Sequence, residues 1–162
     1  SKLAGEKIIQ SLYPENSTIV RTSWVYSSHG NNFVKTMLRL MREKESLGIV
    51  ADQIGCPTYA KGLAKFLWHL ADISELHPMY NWSDLGVASW YDFATAIQEV
   101  ALSLGVLTNS IPIKPIKADQ YPTPAIRPTF SLLDVSFDQS SVETSHWREN
   151  LKTCLSLIRC AG

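Results

Sequence analysis

Three observations predict an α/β domain. Segments with apolar residues at helical spacing alternate with short segments rich in β-branched and aromatic residues. With 162 residues, the chain is of ordinary single-domain size. Its eight glycines form no G-x-G-x-x-G turn, so we do not expect a dinucleotide-binding half within it.

The first helix and the first strand are predicted from apolar spacing and composition. A helix is predicted over residues 1–13, ended by the polar segment 13–17. It carries a stripe of apolar side chains that we expect to be buried: Leu3, Ile8, Ile9 and Leu12. Residues 18–26 are predicted as one strand because they are rich in β-branched and aromatic side chains. A polar loop over residues 27–32 follows.

The middle of the chain predicts two helices separated by a strand and a loop. Helical spacing begins at Phe33, and a short strand is expected over residues 49–51. The loop 52–57 then leads to Thr58, which is well placed to cap the next helix. The apolar positions of that helix follow helical spacing: Leu63, Phe66, Leu67 and Leu70.

The last third predicts one well-bounded helix, a proline-rich segment and a terminal helix. After a predicted strand over residues 78–82, Ser89 and Asp92 form a capping-box pattern, and Gly105 suits the carboxyl end of that helix. Prolines exclude a central strand or a regular helix from residues 111–128. Residues 130–133 suggest a short strand, and Trp147 begins the final helical pattern.

Composition excludes several function classes. Fifteen basic and fifteen acidic residues cancel, so no strong field recruits nucleic acid or an anionic membrane. No apolar run is long enough to span a bilayer, and no signal peptide opens the sequence. The three cysteines lack metal-ligand spacing and indicate reduced thiols in the cytoplasm. We expect no metal site, because the sequence shows no suitable cluster of carboxylates or histidines.

Four strings carry a resemblance that runs over essentially the whole chain. They are Ser1-Lys2-Leu3-Ala4-Gly5-Glu6, Arg21-Thr22-Ser23-Trp24-Val25-Tyr26, Asp52-Gln53-Ile54-Gly55-Cys56-Pro57-Thr58 and Tyr121-Pro122-Thr123-Pro124-Ala125-Ile126-Arg127-Pro128. Together they resemble the C-terminal part of the dTDP-4-dehydrorhamnose reductases, which belong to the extended short-chain dehydrogenase/reductase superfamily.

The resemblance implies a Rossmann-like α/β fold of which this chain is mainly the substrate-binding lobe. Residues 1–162 would form a substrate-binding C-terminal domain, and residues 1–26 would add the last helix and strand to the NAD(P)-binding sheet. The glycine-rich half that binds NADPH or NADH is expected to precede Ser1.

Lys2 is the candidate catalytic residue that the resemblance implies. In this superfamily a tyrosine protonates the reduced carbonyl oxygen, and a lysine four residues later lowers the pKa of that tyrosine and binds the nicotinamide ribose. That tyrosine would lie before residue 1, so we expect the isolated chain to be inactive. From the helix alone, Lys2 would be a solvated surface group.

The segment that follows the first strand supplies further candidates. Trp24 lies near the end of a predicted strand, where ligands dock in open α/β sheets, and its indole suits a hexose ring. A core aromatic is the ordinary alternative. By resemblance, Trp24 and Ser23 contact the sugar, and Arg21, Thr22 and Ser23 lie beside the nicotinamide.

Three polar residues complete the predicted substrate site. Asn32 begins a helix, where amide groups suit a phosphate oxygen, although capping of that helix explains it equally well. By resemblance, Gln53 borders the nucleotide. Arg127 lies in a rigid segment, and by resemblance its guanidinium holds the diphosphate of a dTDP-sugar. A surface arginine is the alternative.

The implied function is reduction of the C4 ketone of dTDP-4-dehydro-L-rhamnose to dTDP-L-rhamnose for surface polysaccharide. The expected partners are the dTDP-sugar and a second copy in a homodimer, without nucleic acid or membrane. Two alternatives stay open. One is a non-catalytic regulatory binding subunit like that of methionine adenosyltransferase. The other is a different nucleotide-sugar epimerase or dehydratase.

Overall fold

The computed structural model describes residues 1–135 and 142–161 and has an α/β architecture. Over these residues the chain forms five α-helices. They are α1 Lys2–Leu12, α2 Phe33–Glu43, α3 Ala60–Ala71, α4 Trp90–Ser103 and α5 Trp147–Ala161. One short 3₁₀ turn covers Ala118–Gln120.

Short strands connect the helices. They are β1 Ile19–Thr22, β2 Val25–Tyr26, β3 Leu47–Val50, β4 Ile54–Gly55, β5 Thr58–Tyr59, β6 Met79–Trp82, β7 Ala88–Ser89 and β8 Ile113–Ile116. Parallel ladders join β1 to β6, β2 to β5, and β3 to β8, whereas β4 and β7 are antiparallel. Because most ladders are parallel, the carboxyl ends of paired strands lie side by side, and the loops that follow them lie close together. Ligands dock at this edge in such folds.

The main core lies between α2, α4 and α5. Its fully buried side chains include Val34, Phe93, Ile97, Leu151 and Leu155. A second, smaller cluster packs α3 against β6 and consists of Phe66, Leu70, Tyr80 and Trp82. The apolar spacings of these helices therefore predicted their buried faces, apart from Leu67, which is 47% exposed.

Two local predictions about the first 26 residues are wrong. Residues 18–26 are not one strand, because Trp24 adopts a positive φ of 45° between β1 and β2. The stripe on α1 is not buried, since no residue of that helix is buried. Ile8 and Leu12 are 58% and 66% exposed, respectively.

The proline-rich segment contains β8, whose only ladder among the described residues is with β3. This agrees with the prediction that the segment cannot be a central strand, because Pro115 is tolerated at a sheet edge. The strand expected over residues 130–133 reduces to one bridge between Ile54 and Phe130.

The two predicted caps of α4 are confirmed, whereas the predicted cap of α3 is wrong. Ser89 and Asp92 form the capping box of α4, and Gly105 follows that helix with a positive φ of 71°. Thr58, however, does not cap α3. It belongs to β5, and Tyr59 occupies the N-cap position without a side-chain cap bond.

Candidate functional site

The candidate site begins where β1 gives way to β2. Thr22 is the last residue of β1, and Ser23 and Trp24 follow it before β2 begins. Trp24 is the only non-glycine residue of positive φ within residues 1–135 and 142–161. Such a backbone costs about 1–3 kcal/mol unless neighbouring contacts hold it, and it is typical of functional sites.

Neighbouring segments hold this turn by three contacts. The Ser23 hydroxyl donates to the Cys56 carbonyl at 2.8 Å, and the Thr58 N–H donates to the Trp24 carbonyl at 3.2 Å. The Trp24 indole stacks on that of Trp90, with ring centroids 3.7 Å apart and planes inclined by 12°. The indole is therefore fixed from both its backbone and its ring.

Gly55 closes another side of the Trp24 indole. A Cβ added at Gly55 would lie 2.7 Å from Cε2 of Trp24 and 2.9 Å from Oγ of Ser131. Because real Cβ atoms essentially never come so close, only glycine leaves room for the indole at this point. Ser131 in turn donates its backbone N–H to the Ile54 carbonyl at 2.8 Å.

A cavity of about 300 Å³ contains two of the predicted substrate residues, Gln53 and Arg127. Tyr121, Thr123 and Ile126 also line it. Arg127 donates from Nη1 to Oγ1 of Thr123 at 3.0 Å. The cavity thus combines an aromatic ring, an amide and a guanidinium, and Asp119 adds a carboxylate to its wall. The first three groups suit an anionic ligand with a flat heterocycle.

The indole and the cavity lie next to each other along β4. Gln53 lines the cavity, and Gly55, two residues later, contacts Trp24. Two extended residues span only about 7 Å. The segment that follows Arg127 returns to the same strand, since Phe130 and Ile54 form an isolated parallel bridge. The chain around β4 therefore connects the Trp24 indole to the cavity of Gln53 and Arg127, although neither Trp24 nor Lys2 lines the cavity itself.

A second, open groove of about 600 Å³ lies at the carboxyl ends of β3 and β8. It is lined in part by Asp52, Lys117 and Asp119. The Asp52 carboxylate accepts a hydrogen bond from the Ala118 N–H at 2.9 Å. This bond fixes the loop after β8, from which the cavity wall with Tyr121 continues.

Lys2, Arg21 and Thr22 lie on the α1–β1 unit. Arg21 donates from Nε and Nη2 to the two carboxylate oxygens of Glu6, at 3.0 and 2.6 Å. Hydrogen bonding and charge from Arg21 lower the pKa of Glu6. This pair shows that the start of α1 and the end of β1 lie together. Lys2 is exposed one helical turn before Glu6.

Asn32 caps α2. Its side-chain oxygen accepts from the Lys35 N–H at 3.2 Å, and its amide nitrogen donates to the Ser27 carbonyl at 2.8 Å. The capping alternative therefore accounts for the observed bonds of this side chain. Its role toward a substrate stays a prediction.

Sequence reasoning missed Trp90 and Asp84. From the sequence, Trp90 is an ordinary residue in the first turn of α4, and its contact with Trp24 is seen only in the folded structure. Asp84, which is 2% exposed, accepts the Tyr59 N–H at 3.1 Å at the start of α3. Burial raises the pKa of Asp84 to about 6, against hydrogen bonds from Asn150 and Tyr59 that lower it.

The family model described as RmlD substrate binding domain matches residues 1–160. The chain belongs to this family. Within it, the chain is 42% identical over 159 residues to the dTDP-4-dehydrorhamnose reductase of Aggregatibacter actinomycetemcomitans, covering 94% of this chain and 54% of that protein. The chain spans about half the length of the curated relatives it matches. The resemblance found in the sequence is thereby confirmed.

Two solved structures give the same result for the fold of this family member. A dTDP-4-dehydrorhamnose reductase from Clostridium acetobutylicum superposes with a TM-score of 0.85 at 34% identity, over 98% of this chain and 54% of that one. The enzyme from Bacillus anthracis, solved in complex with NADP, gives 0.81 at 34% identity, over 94% and 52%. The predicted Rossmann-like α/β class is confirmed.

Within the described residues of this family member, no helix is both long and apolar enough to cross a membrane.

Proposed function

We propose that this chain forms the substrate-binding part of an NADPH-dependent dTDP-4-dehydrorhamnose reductase. The reaction reduces the C4 ketone of dTDP-4-dehydro-L-rhamnose to dTDP-L-rhamnose. Family membership and identity to a reductase of that name support the assignment. The observation that carries it is the link through β4, since Gln53 lines the cavity with Arg127, and a Cβ added at Gly55, two residues later, would lie 2.7 Å from the Trp24 ring.

In this proposal, the two halves of the ligand meet different groups. The exposed part of the Trp24 indole contacts the hexose ring through its apolar surface. The Arg127 guanidinium binds the diphosphate, with Thr123 holding it in place through the 3.0 Å bond. Gln53 and Tyr121 border the nucleotide.

The residues of the α1–β1 unit suit only one end of the cofactor. Lys2 and Thr22 are exposed near the turn of Ser23, and both can hydrogen-bond a ribose or an amide. The Arg21 guanidinium is already paired bidentately with Glu6. When bound, NADPH supplies the hydride that reaches C4. The G-x-G-x-x-G turn for its diphosphate does not occur in this sequence, so we assign most of the cofactor contacts to residues outside it.

In this proposal Lys2 assists the transfer of a proton from a tyrosine to the substrate. Its ammonium lowers the pKa of a tyrosine four residues earlier on the same helix face, and that tyrosine protonates the oxygen at C4. The motif places the tyrosine outside residues 1–162. The isolated chain is therefore expected to give no turnover.

Residues 1–26 are proposed to join an NAD(P)-binding sheet formed largely by other residues of the protein. The apolar side chains of α1 support this arrangement, since Ile8 and Leu12 are 58% and 66% exposed. Burying such side chains stabilises a fold by about 1.5–3 kcal/mol each. The homodimer and the cytoplasmic location remain predictions from the sequence.

Calorimetric titration of the full-length protein tests the assignment. We expect tight binding of dTDP-L-rhamnose and weak binding of UDP-glucose. Trp24→Ala should weaken the first, whereas Trp68→Ala is a matched control, because Trp68 is 76% exposed on α3. Equal affinity for both nucleotide sugars would exclude the reductase and favour an epimerase or dehydratase. Binding of dTDP-L-rhamnose by a protein that does not oxidise NADPH when dTDP-4-dehydro-L-rhamnose is supplied would favour a regulatory subunit.

A further inference from the structure

We propose that Trp90 is a positioning residue for the substrate sugar, acting through Trp24. The proposal rests on the function proposed above, in which the Trp24 indole contacts the hexose. It adds a second residue, from a distant part of the chain, that fixes where the indole stands.

The stack between the two indoles is close and nearly parallel. Their ring centroids are 3.7 Å apart, and their planes are inclined by 12°. Aromatic pairs of this kind contribute about 0.5–1.5 kcal/mol beyond the area they bury. The stack therefore favours one orientation of the Trp24 ring over the others that its side-chain torsions permit.

Trp90 is itself held rigidly. It is the first residue of α4, directly after the Ser89 cap, whose hydroxyl accepts the Asp92 N–H at 3.0 Å. The Phe33 ring packs against Trp90 with a centroid distance of 4.7 Å, and Phe33 stacks on the fully buried Phe93. A continuous row of rings thus connects Trp24 to the core.

A second contact to the Trp24 indole comes from β4, which pairs with β7, the strand just before Trp90. Gly55 in β4 lies opposite Ala88 in β7, two residues before Trp90. A Cβ at Gly55 would come within 2.7 Å of Trp24. Because β4 and β7 form an antiparallel ladder, the spacing between Gly55 and the start of α4 is fixed by backbone hydrogen bonds. The indole therefore lies in a slot bounded by the Trp90 ring and by the backbone at Gly55.

The backbone of Trp24 makes such a slot necessary. Its φ of 45° is unfavourable for a residue with a Cβ and persists only where surrounding contacts determine it. The Thr58 N–H bond to the Trp24 carbonyl fixes the peptide, and Trp90 fixes the ring. Loss of Trp90 should let the ring move while the peptide stays in place.

The test measures the affinity that the sugar adds. The full-length protein is titrated with dTDP and with dTDP-L-rhamnose. The dissociation constant for dTDP divided by that for dTDP-L-rhamnose gives a ratio that reports the sugar contact alone. We expect Trp90→Ala to reduce this ratio roughly 3- to 10-fold, with the affinity for dTDP unchanged. Trp90→Phe, which keeps a flat ring, should restore most of the ratio, and Trp68→Ala should leave it as in the wild type.

A second variant and a spectrum keep the test decisive if Trp90→Ala does not fold. Gly55→Ala would place a Cβ 2.7 Å from the Trp24 ring, so it should displace the indole and reduce the same ratio. The stacked indoles should also give an exciton couplet in circular dichroism that both Trp24→Phe and Trp90→Phe remove.

Three results would overturn the proposal. An unchanged ratio in Trp90→Ala, with the ratio lost in Trp24→Ala, would show that the indole needs no support from Trp90. An equal loss of affinity for dTDP and dTDP-L-rhamnose would show a merely structural role. A wild-type protein without any sugar contribution would overturn the proposed function, and this inference with it.

Discussion

The backbone N–H of Tyr59 donates a hydrogen bond to the carboxylate of Asp84, with 3.1 Å between nitrogen and oxygen. Tyr59 is the N-cap residue of α3, and its own side chain makes no cap bond. Asp84 therefore supplies, from the end of β6, the acceptor that the start of α3 lacks locally. The carbonyl of the same residue accepts from the Cys56 thiol at 3.0 Å.

The buried Asp84 should make stability depend on pH. Its folded-state pKa is about 6, against an ordinary value of 3.8, because burial disfavours the charged form. The folded protein holds this proton more tightly than the unfolded chain, so stability from this group is full below about pH 4 and is lost as pH rises through about 6. The loss is about 3 kcal/mol.

We expect Asp84→Asn to remove this loss. Urea unfolding gives the free energy of unfolding of each protein at about pH 4 and about pH 7. The value for the variant minus the value for the wild type should be about 3 kcal/mol larger at pH 7 than at pH 4. Asp72→Asn is the control, since Asp72 is exposed at the end of α3. A difference between variant and wild type that is the same at both pH values would contradict the prediction.

Gly86 should tolerate no side chain. Its φ is 99°, and an added Cβ would lie 3.0 Å from Cδ1 of Trp147 and closer still to the His146 ring. Gly86→Ala combines a strained backbone with overpacking, so we expect a loss of about 2–4 kcal/mol in the free energy of unfolding. Gly30→Ala separates the two causes, because Gly30 has a φ of 65° with nothing within 4 Å of its added Cβ. It should cost only about 1 kcal/mol, and equal costs would exclude the packing contribution.

Arg127→Lys should weaken nucleotide binding by the full-length protein. A lysine cannot reproduce bidentate bonds to a diphosphate, so we expect about a 10-fold rise in the dissociation constant for dTDP. The matched control is Arg39→Lys, because Arg39 pairs only with Glu43 in the bonds observed on the surface of α2. If calorimetry gives the same affinity for both variants, Arg127 does not contact the nucleotide.

Arg21 and Glu6 should act as one unit. Arg21→Lys loses the bidentate pair, and Glu6→Gln loses its charge, so both should loosen α1 from β1. If Arg21 acts only by this pairing, the two variants raise the KM for NADPH in the full-length enzyme to the same extent. A larger rise for Arg21→Lys would indicate the direct cofactor contact that the sequence predicted for Arg21.

Local signals in the sequence correctly predicted the helices, both caps of α4 and the capping alternative for Asn32. The box of Ser89 and Asp92 depends on residues three apart, and the apolar spacing of α4 lies within a single helix. Such features require no knowledge of the rest of the fold. The first residues of α2 and α5 were predicted from the same kind of spacing.

Long-range contacts account for what the sequence could not predict. Thr58 has the right residue type for a cap, yet the acceptor at α3 is Asp84, 25 residues from Tyr59. Residues 18–26 have the composition of a strand throughout, and the break at Trp24 depends on Trp90 and Gly55. The composition of residues 18–26 and of the start of α3 gives no sign of these contacts with distant residues.

Within residues 1–135 and 142–161, β8 pairs with β3 alone, and the position of Pro115 disfavours pairing on its other side. The Leu47 N–H donates to the Pro112 carbonyl, and the Ala51 N–H donates to the Ile116 carbonyl. Even-numbered residues of β8 therefore face β3, and Pro115 points the other way, so its missing N–H costs the ladder nothing. On that outward side Pro115 offers no backbone donor to an incoming strand, and this disfavours edge-to-edge aggregation.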